Sequence, residues 1–245
     1  MLINLIRSGN FDIITVITYI VSVLMIIFLI NPLHECAHGF MAHKLGDNTA
    51  KNQGRLTLNP LAHIDYMGAL VMLLVGFGWA KPVPVNARYF KKPKLGMALT
   101  ALAGPVSNLL AAIVGGLIYN GIYTILIKNN GIRLVVDYTT YSYRYEYSPA
   151  FMQYVLLFFE FFIVINISLA VFNLIPVPPL DGSKILMAFL PDKAIYKMYQ
   201  YQFYFSIALF VLVMAGGVSM LLLPVQRWLS GGIMWLTALP YSWSW

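Results

Sequence analysis

Residues 34–38 read His-Glu-Cys-Ala-His. On a helix, residues four apart share one face, so His34 and His38 can each give an imidazole nitrogen to a single metal ion. Glu35 stands about 100° round from His34. That puts it beside the metal rather than on it, where its carboxylate can take a proton from a metal-activated water. This is the chemistry of a zinc peptidase. The chain holds only four His, and its three Glu are Glu35, Glu146 and Glu160. A chance His-Glu-x-x-His is therefore on the order of one in a thousand. The bland alternative is a pair of interfacial histidines that cap or hydrogen-bond. The cost of ionisable groups at membrane depth weighs against it.

A catalytic zinc takes three protein ligands and keeps one position open. No third His lies six residues after His38, where the chain has Lys44. His43 is five residues on, about 140° round the helix, and is rejected. His63 and Asp65 lie near in sequence. Asp181 is distant but follows a broken apolar helix, in "NLIPVPPLDG".

The elements that must position these groups are membrane elements. The composition is 60% hydrophobic and 10% charged, whereas a soluble domain is about a quarter charged. Several apolar runs reach the roughly 20 residues that cross hydrocarbon. The expected class is an all-α polytopic membrane protein with about five to six membrane helices and a small membrane-associated β or re-entrant segment between the first two core helices. A single intramembrane domain over 1–245 is expected, with a catalytic core near 11–190 and C-terminal helices near 200–245. The net charge of +7 sits in short connections without basic-aromatic interleaving, so nucleic acid is not the partner. One cysteine, Cys36, excludes an intrachain disulfide framework and reads as packing. "MLINLIRSGNFD" lacks a small-residue cleavage site, so the first span is expected to be retained.

That span is 13–30, with Asn31-Pro32 allowing a kink or restart. Residues 54–58, "GRLTL", show strand-like alternation. The run 68–80 is too short to span comfortably and suits a re-entrant or interfacial segment. "KPVPVN", 81–86, reads as an extended strand or edge. Further spans are expected at 96–127, 150–172 and 202–223, with a polar, tyrosine-rich loop over 128–149. The tail 231–245 is a short span or an interfacial helix anchored by Trp and Tyr.

Charge then bears on the third ligand. Eight Lys and Arg lie between residues 44 and 94, three more follow Asp181, and the remaining five are scattered elsewhere. If 68–80 does not cross, the split is eleven against five, and the positive side is cytosolic. Asp181 then falls on the same side as His34 and His38. If 68–80 crossed, Asp181 would fall on the opposite side.

These segments together resemble the site-2 proteases, the intramembrane zinc metalloproteases, and are most similar to the compact prokaryotic branch without PDZ or CBS domains. The motifs are "HECAH" (34–38), "GRLTLNPLAHID" (54–65), "GWAKPVPVN" (78–86), "ALAGPVSN" (101–108) and "FNLIPVPPLDG" (172–182). The resemblance implies one Zn2+ per chain on His34, His38 and Asp181, with Glu35 as general base. It implies that Asn108 and Asn173 line the cleft and hold substrate backbone or oxyanion. It also implies transmembrane protein substrates, cleaved near the cytosolic face of a prokaryotic plasma membrane. The substrate would unwind locally and pair with 78–86 as an added strand. Pro32, two residues before His34, departs from the pattern.

Among the other polar residues, His63 is expected to anchor "GRLTL" through hydrogen bonds, and Asp65 to behave similarly. Glu160 lies inside a span, with functional and structural readings balanced. The competing function is a non-proteolytic zinc-binding membrane protein, a transporter or chaperone. Glu35 argues against it, since transport needs no base beside the histidines.

Overall fold

A computed structural model describes residues 13–137 and 142–244. The first twelve residues, on which the expectation of an uncleaved N-terminus rests, lie outside them. Among the described residues, three helices are long and apolar enough to cross a membrane: Val16–Lys44 (29 residues), Pro93–Lys128 (36 residues) and Met152–Asn173 (22 residues). At 1.5 Å per residue each exceeds the roughly 30 Å of a hydrocarbon core. Their exposed apolar side chains, among them Leu110, Val114 and Val164, form the surface that lipid tails require.

The first of these helices does not restart at Asn31. Helix α1, Ile13–Met25, passes through a π-helical turn, Ile26–Ile30, into α2, Asn31–Lys44. The Asn31 N–H reaches back five residues to the Ile26 carbonyl. The reason is Pro32, which lacks an N–H and whose ring crowds the carbonyl four residues earlier. A wider turn just before it relieves that clash while the helix runs on.

After a short helix α3, Thr49–Asn52, the chain makes a closed excursion. The Lys81 N–H donates to the His63 carbonyl at 2.9 Å and closes its neck. Inside it lies the ten-residue helix α4, Tyr66–Val75, capped by Asp65, which accepts from the Gly68 N–H. Gly76, at φ 89°, ends the helix in the left-handed region. The chain then doubles back so closely that a Cβ on Gly68 would overlap the Trp79 carbonyl. Tyr19 on α1 donates to the Met72 carbonyl at 2.6 Å, and Tyr19, Val23 and Met72 form a buried cluster. The shortness expected of 68–80 is therefore found.

The strands differ from expectation. Neither 54–58 nor 81–86 forms a strand. The two-stranded antiparallel sheet of the described residues is β1, Ile132–Asp137, against β2, Ser142–Tyr147, in register Ile132↔Tyr147 to Asp137↔Ser142. It lies in the stretch expected to be a plain loop. "IRLVVD" and "SYRYEY" carry β-branched and aromatic residues suited to a pleated pair. In 81–86, prolines at 82 and 84 remove two ladder donors.

Helix α5, Pro93–Lys128, and helix α6, Met152–Asn173, follow the expected spans, and α6 ends before the prolines at 176, 178 and 179. Helices α7, Asp181–Met187, and α8, Asp192–Gln200, come next. The span expected over 202–223 is instead two helices, α9, Gln202–Met214, and α10, Gly217–Ala238. Gly216 at φ 76° turns the chain between them, a conformation glycine adopts freely. Most of the tail thus continues α10. The chain divides into two compact units. One runs through Asn108 and resumes over Leu169–Leu222; the other is Leu109–Ser168 with the residues from Leu223 onward.

Candidate metal centre

The expected ligands, base and cleft asparagines lie in the first unit, and Glu160 lies in the second. Helix α2 carries His34, Glu35 and His38, and both histidines are buried. Their Nε2 atoms approach to 3.0 Å, with the rings edge to face. The His38 Nδ1 lies 2.7 Å from the Thr100 carbonyl on α5. A carbonyl can only accept, so Nδ1 carries the proton and Nε2 keeps its lone pair toward His34.

Asp181 is 147 residues away from His34 in sequence, at the start of α7, yet its Oδ2 lies 3.2 Å from the His34 Nε2 and 3.1 Å from the His38 Nε2. Its Oδ1 accepts from the Lys184 ammonium at 3.1 Å. Burial alone would raise this carboxyl, and the Lys184 ammonium on Oδ1 opposes that rise. Gly182 makes the approach possible, because a Cβ there would overlap the Leu174 carbonyl.

Two nitrogens and one oxygen thus form a triangle with sides of 3.0 to 3.2 Å. Zn–N and Zn–O bonds of about 2.05 Å in a tetrahedral site imply ligand separations of about 3.3 Å. The donor set, the spacing and the outward-bonded Nδ1 of His38 fit a zinc ion. His34, Glu35 and His38 also form a group able to hold a metal, with one ligand atom each inside 4.8 Å. Glu35 is engaged differently. Its Oε2 accepts the N–H of Val83 at 2.8 Å, which ties it to the extended chain of 81–86.

The two asparagines separate. Asn108 is fully buried, and neither its Nδ2 nor its Oδ1 has a hydrogen-bond partner among the described residues. It lies one helical turn beyond Gly104, on the same face. A Cβ on Gly104 would stand 2.5 Å from the His38 ring and 2.6 Å from that of His34. Asn173 instead bonds back to its own helix, from Nδ2 to the Leu169 carbonyl at 3.0 Å. His63 and Asp65 are structural: His63 bonds the Thr57 carbonyl at 2.8 Å and Asp65 caps α4. Cys36 is a free, half-buried thiol.

The family model for peptidase family M50 matches residues 19–215. The chain belongs to peptidase family M50. Within it, the chain is 40% identical over 207 residues to YwhC of Bacillus subtilis (strain 168), named as a zinc metalloprotease, covering 84% of this chain and 85% of that one. It is 33% identical over 90 residues to Rip2 of Mycolicibacterium smegmatis, also named as a zinc metalloprotease, covering 34% and 33% of the two chains. No solved structure matches. This M50 chain is a zinc metalloprotease of the site-2 type.

Three groups around the M50 centre escaped the sequence reading. Lys184 counted there only as a topology charge. Gly104 has no role of its own within "ALAGPVSN" there, although a glycine one turn from a polar residue in a span also signals close approach of a side chain. The Thr100 carbonyl had no signal, because any residue type offers one.

Proposed function

We propose that this metalloprotease is an intramembrane endopeptidase that hydrolyses peptide bonds in transmembrane segments of other membrane proteins near the cytosolic face. His34, His38 and Asp181 hold one zinc, and Glu35 is the general base. The observation that carries this reading is the triangle of three donor atoms with Glu35 beside it but outside it. Bound there, zinc would supply a Lewis acid that lowers the pKa of water toward neutrality and polarises a carbonyl. Glu35 takes the proton that water loses and delivers it to the leaving amine. Lys184 and the Thr100 carbonyl keep Asp181 and His38 oriented. Asn108, with both amide ends free, is placed to hold the oxyanion. Asn173 serves the cleft wall.

The closed neck between His63 and Lys81 supports a cytosolic site. An excursion that returns to its starting point does not cross, so α5 leaves the cytosol, α6 returns to it, and Asp181 meets His34 on the positive side. Counting α9 and α10 with the three long helices gives five membrane helices. In the plasma membrane of a prokaryote, lipid and substrate helices are the partners.

The substrate must present extended backbone. Pairing along 81–86 is narrower than "KPVPVN" suggests. The Lys81 N–H, Lys81 and Pro82 carbonyls, Val83 N–H and Asn86 N–H are bonded within the protein. The Val85 N–H and the carbonyls of Val83 and Pro84 are left for a substrate among the described residues.

Zinc per chain in wild type and in Asp181→Ala tests the ligand set. About one zinc in wild type and little in the variant are expected. Full zinc in Asp181→Ala would remove Asp181 from the set and the same-side topology with it.

A further inference from the structure

One buried charge near the centre has no part in the chemistry above. Asp47 follows α2, just beyond Gly46, and is fully buried. Its Oδ1 accepts from the Thr49 N–H at 2.9 Å and the Thr49 hydroxyl at 2.5 Å, a local turn. Its Oδ2 accepts from the Asn86 N–H at 2.6 Å, across 39 residues of sequence. Burial alone would raise this carboxyl, but the three bonds hold it below the usual carboxylate range. A buried charge is tolerated only when so bonded, and bonds to it are stronger than neutral ones.

Asn86 ends the segment that holds Glu35. Val83 donates its N–H to Glu35, and its Cγ1 lies 3.2 Å from where a Cβ on Gly39 would stand. Glu35 and Gly39 are four apart and share a face of α2. Residues 83–86 therefore run along α2 from Glu35, past Gly39, to Asp47. Pro82 and Pro84 have no N–H to give. Asn86 is the first residue after them on the same edge of the extended chain that can donate, and Asp47 takes that donor.

We infer that Asp47 is a positioning residue: through Asn86 it fixes the register of 83–86 against α2, and so sets the Val83 N–H that orients Glu35. The inference rests on Glu35 being the base. It assigns Asp47 a role in turnover, not in metal binding.

Two substitutions break the link from opposite ends. Asp47→Asn puts an NH2 group where Asn86 needs an acceptor. Asn86→Pro removes the donor, together with the Oδ1 that accepts the Arg88 N–H, and leaves the Asp47–Thr49 turn intact. Each is expected to lower kcat on a transmembrane substrate by about tenfold, the scale of a small misplacement of a reacting group, with KM and zinc per chain unchanged and a lower Tm from the lost bond to a buried charge. The double variant is expected to lose about tenfold as well, because one interaction cannot be lost twice. Singles that cleave like wild type, losses that multiply to about a hundredfold in the double, or losses matched by lost zinc would each overturn the inference. If Asp47→Asn does not fold, Asn86→Pro decides alone by the same readings. Glu35→Gln is run beside them. Cleavage by that variant would defeat the base assignment itself, whereas an inactive Glu35→Gln with unaffected singles would defeat only the role of Asp47.

Discussion

The two compact units differ in how completely the polar residues inside their apolar helices are bonded. In the second unit, Asn120 donates to the Thr237 hydroxyl at 2.9 Å, and Thr237 donates to the Ile233 carbonyl at 2.7 Å. Asn166 and Ser168 bond back to the Phe162 and Val164 carbonyls of α6, leaving over only the Oδ1 of Asn166. These groups are satisfied locally and hold helices together. In the first unit, three lone-pair donors converge on a point, Glu35 reaches out to another segment, and Asn108 is buried with both ends unbonded. Burying polar groups that way costs free energy unless a ligand or substrate completes them. Residue type alone therefore does not mark the site. Asparagine is glue at 120 and an open hand at 108.

The comparison breaks most visibly at Glu35. Glu35→Gln keeps the size of the side chain and removes the base, so cleavage should fall by about 10²- to 10⁴-fold. Zinc per chain and Tm should stay at wild-type values. A cleaving variant would place the chemistry elsewhere in the first unit.

Asn108→Ala should cost about 10²-fold in kcat if the amide holds an oxyanion. It should not lower stability, because no hydrogen bond inside the protein is lost. Asn120→Ala in the second unit should show the reverse, a lower Tm with turnover intact. If Asn108→Ala destabilises without slowing cleavage, the two asparagines are alike and the contrast fails.

A paired test uses glycines. Gly104→Ala drives a methyl into the two imidazoles, and Gly116→Ala drives one to 2.7 Å from the Thr237 hydroxyl. Overpacking of this kind costs about 1–3 kcal/mol. For Gly104→Ala the cost should appear in zinc affinity, read by competition with a chelator. For Gly116→Ala it should appear in unfolding, with zinc retained. Equal zinc affinity in Gly104→Ala and wild type would mean the rings move aside freely, and the centre is not held as rigidly as its geometry suggests.

What could be read from the sequence follows from how local each cause is. The pairing of His34 with His38 needs only helical periodicity, so five residues contain it. The approach of Asp181 depends on 147 residues of intervening chain. It was legible only because one short apolar run, 68–80, and the distribution of lysines and arginines constrain which side each loop takes. The bond of His63 to "GRLTL" was legible for the same local reason as the histidine pair. The β pair was misplaced because alternation occurs in both "GRLTL" and "SYRYEY", and pairing depends on a partner strand that periodicity does not reveal. The break at Gly216 was hidden inside "VLVMAGGVSMLLL", where hydropathy runs on across the turn. The π turn was hidden because Pro32 permits either a break or a bulge, and tertiary packing chooses. Asp47 looked like an ordinary loop aspartate after a helix-ending glycine, since its partner lies 39 residues on.

The smallest effect sharpens the contrast most, because it asks for nothing at the metal centre. Thr237→Val keeps the shape of a buried side chain and removes one hydroxyl from the second unit. It deletes the acceptor of Asn120 and the donor to Ile233. In water-soluble cores such a loss leaves a buried amide unsatisfied, at about 1–3 kcal/mol. Between membrane helices, measured couplings average about 0.6 kcal/mol, because separated helices also find partners. The Asn120 Nδ2 is 3.4 Å from the Met234 carbonyl and can shift toward it, which favours the lower figure. Unfolding in detergent should therefore show a loss of about 0.6 kcal/mol, with zinc per chain and kcat both unchanged. If kcat fell while stability held, the polar groups of the second unit would be serving catalysis and not packing.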